Sequence, residues 1–132
     1  MYLSEITVIK PSNKLLYKAC DELCFLSKNM YNTALYIQRQ NYQEGKPFIK
    51  EWDMYKLLET QKNPDYYAMN TKVSRYVVKQ LDGDFASFFS SLKSKKEGNH
   101  NQKVNPPSYK EKAKGRNIAT FYKKALLKRT YN

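Results

Sequence analysis

Apolar side chains recur every three or four positions in the stretch after Pro11, which is the spacing of one face of an amphipathic helix. The repeated positions are Leu16, Ala19, Leu23, Leu26, Met30, Ala34 and Ile37. Ser12 is a candidate N-terminal cap, and Gly45 offers a left-handed C-terminal cap shortly before Pro47, which prevents a helix from resuming. The pattern predicts a first helix that runs to about Glu44.

Two further apolar stripes predict two more helices. In residues 49–61, three apolar side chains share one side of a helix. They are Trp52, Tyr55 and Leu58. The Asn-Pro-Asp sequence at 63–65 indicates a turn that closes this helix. A third helix is predicted to start at Asn70 or Thr71. Its stripe consists of Val73, Val77, Leu81, Phe85, Phe88 and Leu92.

Short runs rich in β-branched and aromatic residues flank the helical stretch and predict strands. Residues 5–10 form the first run, which stops at Pro11, and residues 118–122 form the second. Residues 93–107 are polar, basic and without an apolar period, which indicates a linker. The expected fold is mainly α, with a three-helix bundle inserted between β-strands. Its segments are a first strand at 1–11, a helical lobe at 12–92, a basic linker at 93–107 and a basic strand region at 108–132.

Charge is concentrated at the end of the chain. The 132 residues carry a formal charge of +12. Residues 1–92 hold 12 basic and 10 acidic side chains, whereas residues 93–132 hold 12 basic and 2 acidic ones. An anionic polymer is the partner that such a distribution favours, and a merely solvated surface is the alternative.

With neither a signal peptide nor a long apolar run in the sequence, we expect a soluble, cytoplasmic protein that does not enter a membrane.

Few residues could carry catalysis. His100 is the only histidine and lies in the linker, so a nucleophile would lack a histidine base. Asp82 and Asp84 are two residues apart on a predicted helix and point to different faces, so they do not converge on a metal ion. Cys20 and Cys24 lie one helical turn apart. Even with His100 they are too few ligands for zinc, and they are expected to be core or half-buried thiols. We expect no catalytic residue, metal or cofactor on this chain.

Aromatic residues are abundant, with 12 Tyr, 6 Phe and 1 Trp, and many stand beside cations. Tyr109 precedes Lys110, and a basic cluster follows. The cluster comprises Lys110, Lys112, Lys114 and Arg116. Aromatic rings stack on unpaired bases while cations hold phosphates, which is how single-stranded or folded RNA is commonly bound. The alternative is that the helix tyrosines are partly core, with hydroxyls that reach water.

Three segments carry motifs of a known family. Residues 21–36 contain Tyr-Asn before a small and an aliphatic residue, with Arg39 soon after. Residues 72–93 lead to paired phenylalanines, and residues 104–110 place Pro-Pro ahead of Tyr-Lys. In this order and with these gaps, the segments resemble the N-terminal region of TnpB proteins. These are transposon-encoded RNA-guided nucleases, related to compact type V CRISPR effectors.

The resemblance implies a split architecture. The strands at both ends would belong to one wedge-type β-barrel, incomplete in this chain, and the helical bundle would be the inserted recognition lobe. Such proteins hold a guide RNA, read a short motif beside the DNA target and cut with a RuvC-like nuclease. The nuclease carboxylates and the zinc ribbon of complete members have no counterpart in this sequence, so we expect a fragment or a shortened relative.

The resemblance also implies, by position, a surface that reads the motif beside the DNA target. Thr71, Lys72 and Arg75 are expected to project from the exposed start of the third helix, where a helix N-terminus favours phosphate and an Arg can address guanine. Further residues are expected to complete this surface. They are Lys50, Met54, Tyr122 and Lys123. An ordinary solvated helix start is the alternative.

The sequence thus predicts a module that binds guide RNA and target-adjacent DNA, with the remainder of the nuclease or a second copy as protein partner. A free-standing helix-turn-helix DNA-binding regulator is one alternative. An inert transposon remnant, or a piece that binds another protein, is the other.

Overall fold

The computed structural model describes residues 4–121 of the chain, and this part is mainly helical. Within these residues, four helices follow one another. They are α1 (Lys14–Gln43), α2 (Glu51–Thr60), α3 (Pro64–Tyr67) and α4 (Thr71–Lys96). The long helices α1 and α4 pack on each other, α2 and α3 both pack on α4, and α3 also contacts α1. The prediction of a mainly α fold is confirmed.

The ends of α1 follow from its local sequence. Gly45 adopts the left-handed conformation that was predicted, with φ of 72°, and its N–H donates to the carbonyl of Tyr42 at 3.0 Å. The N-terminal cap position is Asn13, one residue after the predicted Ser12, and it forms no side-chain capping bond.

The turn predicted at residues 63–65 is in fact the start of α3. The Asn63 side chain accepts hydrogen bonds from the N–H groups of Asp65 and Tyr66, at 3.0 and 3.3 Å. Pro64 occupies the first helical position, where its missing N–H costs nothing. The same Asn-Pro-Asp sequence that interrupts one helix therefore begins another.

Helix α4 begins and continues for clear local reasons. Asn70 caps it by accepting from the N–H of Lys72 at 2.9 Å. The helix extends to Lys96, so the first four residues of the predicted linker are helical. Three cations occupy its last turn, where they interact favourably with the helix dipole. They are Lys93, Lys95 and Lys96.

The core lies between α4 and the C-terminal two thirds of α1. Its buried apolar side chains come from all four helices. They include Met30, Ala34 and Leu35 of α1, Met54 and Leu58 of α2, Tyr66 of α3, and Val73, Val77, Leu81 and Phe85 of α4. The predicted stripe of α1 is covered only in part, since Leu16 stays 47% exposed. Trp52, expected on the inner side of α2, points outward and is 64% exposed.

No strand forms within residues 4–121. The segment 5–10, predicted as a strand, has no strand to pair with in this part of the chain, and Ile6 and Val8 are exposed. The described residues of the second predicted strand, 118–121, are not paired as a strand either, and Tyr122 lies outside the described residues. A strand needs a partner for its backbone N–H and C=O groups, and none of the described segments provides one. In the described helices, no segment has the length and apolarity needed to cross a membrane.

Candidate nucleic-acid interface

Residues 107–118, which we call the strap, run along one face of α1. Side chains of α1 bind the backbone of the strap at helical spacing. The Asn32 amide donates to the Lys110 carbonyl and accepts from the Lys110 N–H, both at 2.9 Å. Arg39 donates to the carbonyl of Pro107 at 2.8 Å. Asn32 and Arg39 therefore bind the strap through its peptide groups.

Lys28 provides the third contact along this face, and it is buried. Its side chain is 1% exposed, its ammonium donates to the Lys112 carbonyl, and it lies 3.8 Å from the centre of the Phe25 ring. Burial is the main reason that the pKa of Lys28 falls below its ordinary value. The carbonyl and the aromatic face offset part of the cost of removing this cation from water.

Asn117 anchors the far end of the strap between α1 and α4. Its backbone N–H donates to the Cys24 carbonyl at 3.2 Å. Its side-chain amide exchanges two hydrogen bonds with the amide of Gln80, at 3.0 and 3.1 Å. Beside it, the Ser27 hydroxyl donates to the Ile118 carbonyl at 2.6 Å. Asn117 is 7% exposed, so a buried polar network fixes the position of this end.

A tight turn shapes the middle of the strap. The Glu111 carboxylate accepts from the N–H groups of Ala113 and Lys114, and these backbone hydrogen bonds lower the pKa of Glu111. Gly115 donates its N–H to the Glu111 carbonyl at 2.9 Å. A Cβ atom at Gly115 would stand 2.2 Å from that same oxygen, so the turn requires glycine.

The basic cluster on the strap divides into two groups. Lys112 and Lys114 are exposed, and neither forms an ion pair with any other residue in the range 4–121. By contrast, Lys110 is half-buried, with its ammonium 4.7 Å from the Tyr31 ring centre. Arg116 pairs with Asp21 through bonds of 2.9 and 3.2 Å, and this contact lowers the pKa of Asp21.

Tyr109 is exposed on the strap, as are Lys112 and Lys114. It is 43% exposed, and the Arg39 guanidinium lies 4.6 Å from its ring centre. The ring thus has one face near a cation and a substantial accessible area. The cation beside this ring is Arg39 of α1, and the role of Tyr109 in binding nucleic acid stays a prediction.

Arg75 does not project from α4 as expected. Its guanidinium donates to Glu59 at 2.6 Å and to the Tyr66 hydroxyl at 2.9 Å, and it lies 4.9 Å from the Tyr55 ring centre. The hydrogen bond from Arg75 is the largest cause of the lowered pKa of Glu59. Arg75 therefore ties α4 to α2 and α3, because both helices present acceptors beside it.

The other residues expected to read DNA are placed differently. Met54 is 1% exposed and belongs to the core, so the expectation that it contacts nucleic acid is wrong: α2 turns it towards α4. Lys50 and Lys72 are exposed near the starts of α2 and α4, and Thr71 is half-buried at the first position of α4. Tyr122 and Lys123 lie outside the described residues.

The carboxylates of α4 make structural contacts. Asp84 accepts from the Tyr31 hydroxyl at 2.7 Å. Burial is the main reason that the pKa of Asp82 is raised. Among residues 4–121, no group of three or more His, Cys, Asp and Glu side chains is arranged to hold a metal ion.

Sequence reasoning missed the residues that hold the strap. The sequence pattern gives Asn32 and Arg39 only as motif residues and Lys110 only as a cation for nucleic acid, and it does not single out Asn117. A signal did exist, because polar residues at positions 28, 32 and 39 share one face of a helix. In comparisons with known proteins, no family model, no curated protein and no solved structure matches this chain.

Proposed function

We propose that this chain is the nucleic-acid-binding module of a TnpB-type RNA-guided nuclease, which holds guide RNA and contacts DNA beside the target. The nuclease chemistry of such a protein would reside outside these residues. Among the described residues, the strap is the surface that would bind RNA.

The observation that carries this proposal is the way the strap is held. Its peptide groups are bound by side chains of α1, through Asn32, Lys28 and Arg39. Its exposed cations, Lys112 and Lys114, are left without acidic partners among residues 4–121. A fixed backbone with unpaired ammonium groups is already organised for phosphates, so binding loses less conformational entropy than it would in a mobile tail.

Tyr109 supports RNA in particular. Its exposed ring offers a stacking surface beside the Arg39 guanidinium, and base stacking on aromatic rings is common to proteins that bind unpaired nucleotides. Duplex DNA would not present its bases to such a ring.

For the segments on either side of the helices, we propose that they belong to a wedge-type β-barrel. Ile6, Val8 and Ile118 are β-branched and 72% to 93% exposed, and such residues are stabilised when a sheet covers them. The segments around them would pair as strands in the presence of further barrel strands.

The alternative of a free-standing helix-turn-helix regulator receives less support. A reading helix needs side chains that reach the base edges, whereas Arg75 is bound by Glu59 and Tyr66 and Met54 is buried. Nucleic acid that copurifies with the protein separates the two functions. Removal of this material by ribonuclease supports the RNA-binding module, and removal by deoxyribonuclease alone supports the regulator.

A salt titration tests the role of the strap. We expect the Lys112→Gln/Lys114→Gln double variant to bind structured RNA more weakly, and the slope of log K against log salt to become shallower by about 0.7 for each phosphate that the protein no longer neutralises. Lys56→Gln/Lys62→Gln is the matched control, because both lysines are exposed elsewhere on the molecule. Equal slopes for the two double variants would contradict the proposal.

A further inference from the structure

An aromatic groove lies between the C-terminal end of α1 and the C-terminal half of α4. Its volume is about 490 Å³. The apolar part of its lining comes from the segment after α1, from α4 and from the linker. These residues are Phe48, Phe85, Phe88, Phe89, Leu92 and Pro106. The groove is separate from the exposed strap cations, since neither Lys112 nor Lys114 lines it.

The phenylalanines of the groove form one connected set of rings. Phe48 meets Phe85 and Phe89 edge-on, with ring centres 5.2 and 5.7 Å apart. Phe88 and Phe89 are 5.5 Å apart. Two of these rings keep much of their surface accessible, since Phe48 is 37% and Phe89 is 46% exposed. A flat apolar ligand could bury this surface against rings that already hold one another in place.

The rim of the groove is cationic. Arg39 and Lys46 belong to its lining, and no carboxylate of residues 4–121 does. Glu44 pairs with Lys46 at 2.8 Å, but both side chains are more than half exposed, and such surface pairs are weak. A phosphate could therefore compete for Lys46.

We propose that this groove binds one unpaired nucleobase of single-stranded RNA. The base would stack against Phe48 and Phe89, and its phosphates would lie towards Arg39 and Lys46. An aromatic floor and a cationic rim match the two halves of a nucleotide, whereas an apolar peptide helix would gain nothing from the cations. This inference rests on the proposed RNA-binding function and assigns it a second site.

The polar atoms of the groove indicate weak selection among bases. The Gln38 amide is already bonded to Ile49 through both of its polar atoms, and the Asn41 amide donates to the Pro47 carbonyl. Among the lining amides, Gln43 has no side-chain hydrogen-bond partner within residues 4–121. A single amide that is available for hydrogen bonding distinguishes bases poorly, so stacking provides most of the binding free energy of the base.

Fluorescence of a labelled oligonucleotide tests this site on the full chain. The probe is an oligouridine of about 12 nucleotides with one central 2-aminopurine, and its partner carries an abasic residue at the same place. For wild type, we expect quenching of the 2-aminopurine and about tenfold tighter binding than for the abasic probe. Phe89→Leu should remove the quenching and bind both probes alike, because leucine keeps the apolar contact but cannot stack.

Two further variants complete the design. Phe48→Leu should behave as Phe89→Leu does, which guards against a folding defect in either variant. Trp52→Leu is the matched control, since Trp52 is an exposed ring outside the groove, and it should retain wild-type quenching and affinity.

The outcomes separate this inference from the proposed function. If wild type binds neither probe, both are overturned. If wild type binds but Phe48→Leu and Phe89→Leu keep its quenching and its preference over the abasic probe, the groove assignment alone is overturned. A protein dimer that Phe89→Leu dissociates, with RNA binding unchanged, would likewise overturn it by showing that a second copy covers the groove.

Discussion

Gly115 occupies a position in the strap where a side chain has no room. The Glu111 carbonyl would lie 2.2 Å from a Cβ atom there, well inside the contact distance of the two atoms. Gly83 is the opposite case: it lies in the middle of α4, and a Cβ atom at this position would have no atom within 4 Å. An alanine side chain would therefore overlap its surroundings at position 115, whereas it would meet no atom at position 83.

Substitution by alanine should shift stability in opposite directions at these positions. Gly115→Ala is expected to cost about 1 to 3 kcal/mol, because the turn must open to relieve the overlap. Gly83→Ala is expected to gain about 0.5 to 1 kcal/mol through higher helix propensity. Urea unfolding of the two variants measures both changes, and amide exchange at Gly115 reports whether the turn itself has opened. Equal stability of both variants would show that the turn is not constrained as described.

Residue-level prediction from sequence succeeded where the cause is local. The left-handed Gly45 depends on a few neighbouring residues and is as predicted, and α4 begins at Thr71, within the predicted start. It gave no sign of the contacts of Arg75, because its acceptors Glu59 and Tyr66 lie on two other helices. It also failed for Met54, since the buried face of the short α2 consists of Met54, Tyr55 and Leu58, whereas the predicted stripe contained the exposed Trp52 instead of Met54.

Helix α1 acts as a support for the strap as well as a part of the core. The side chains that bind the strap lie on one face, and the core side chains Met30 and Ala34 lie on another. This division explains why the strap could not be predicted from apolar periodicity: it is held by polar groups of α1, and periodicity records only the apolar face.

Removal of the Asn32 amide should loosen the strap. Asn32→Ala is expected to cost about 1 to 2 kcal/mol, because two hydrogen bonds to the Lys110 backbone disappear while water can replace them in part. Asn29→Ala is the matched control: Asn29 is also half-buried on α1, and its side chain has no hydrogen-bond partner within residues 4–121. Urea unfolding measures the change in stability, and faster amide exchange at Lys110 would locate it. If Asn29→Ala and Asn32→Ala were destabilised equally, the bonds to the strap would not be the source.

Several ion pairs and capped carboxylates make the whole molecule sensitive to acid. The pKa values of Asp21, Glu59 and Glu111 are lowered in the folded protein, mainly by hydrogen bonds from Arg116, Arg75 and the Lys114 backbone respectively. A carboxyl with a lowered pKa stabilises the fold above its ordinary pKa, and this contribution is lost as the pH falls through the folded value. Asp82 acts in the opposite direction, because its pKa is raised by burial.

Unfolding at a series of pH values should show this balance. We expect the free energy of unfolding to fall as the pH drops below the ordinary pKa values of 3.8 for Asp and 4.5 for Glu. The reason is that three carboxyls have a lowered pKa in the folded protein, whereas one has a raised pKa. Arg116→Gln should make the fall shallower, because Asp21 loses the partner that lowers its pKa. Lys56→Gln, which removes an exposed cation without touching these pairs, should follow wild type. A steeper fall in Arg116→Gln than in wild type would contradict this account.

At the scale of the whole molecule, the sequence predicts the helices and misses the packing of the last segment. Periodicity and caps predict most of the ends of α1, α2 and α4 to within one or two residues. The strap contacts join residues far apart, such as Ser27 with Ile118, 91 positions apart. No local pattern specifies such a pairing, and the strands predicted at 5–10 and 118–122 presupposed partners that the described residues do not provide.

The length of the loop that the strap closes has a consequence for the order of folding. Asp21 and Arg116 are 95 positions apart, and α2, α3 and α4 all lie between them. During synthesis, the helices can therefore pack while the strap is still being made, since N-terminal parts fold first. Contacts of such high sequence separation form slowly compared with helix pairs. Docking of the strap then follows the packing of the helices, and the surface that it covers on α1 stays open until the residues of the strap have left the ribosome.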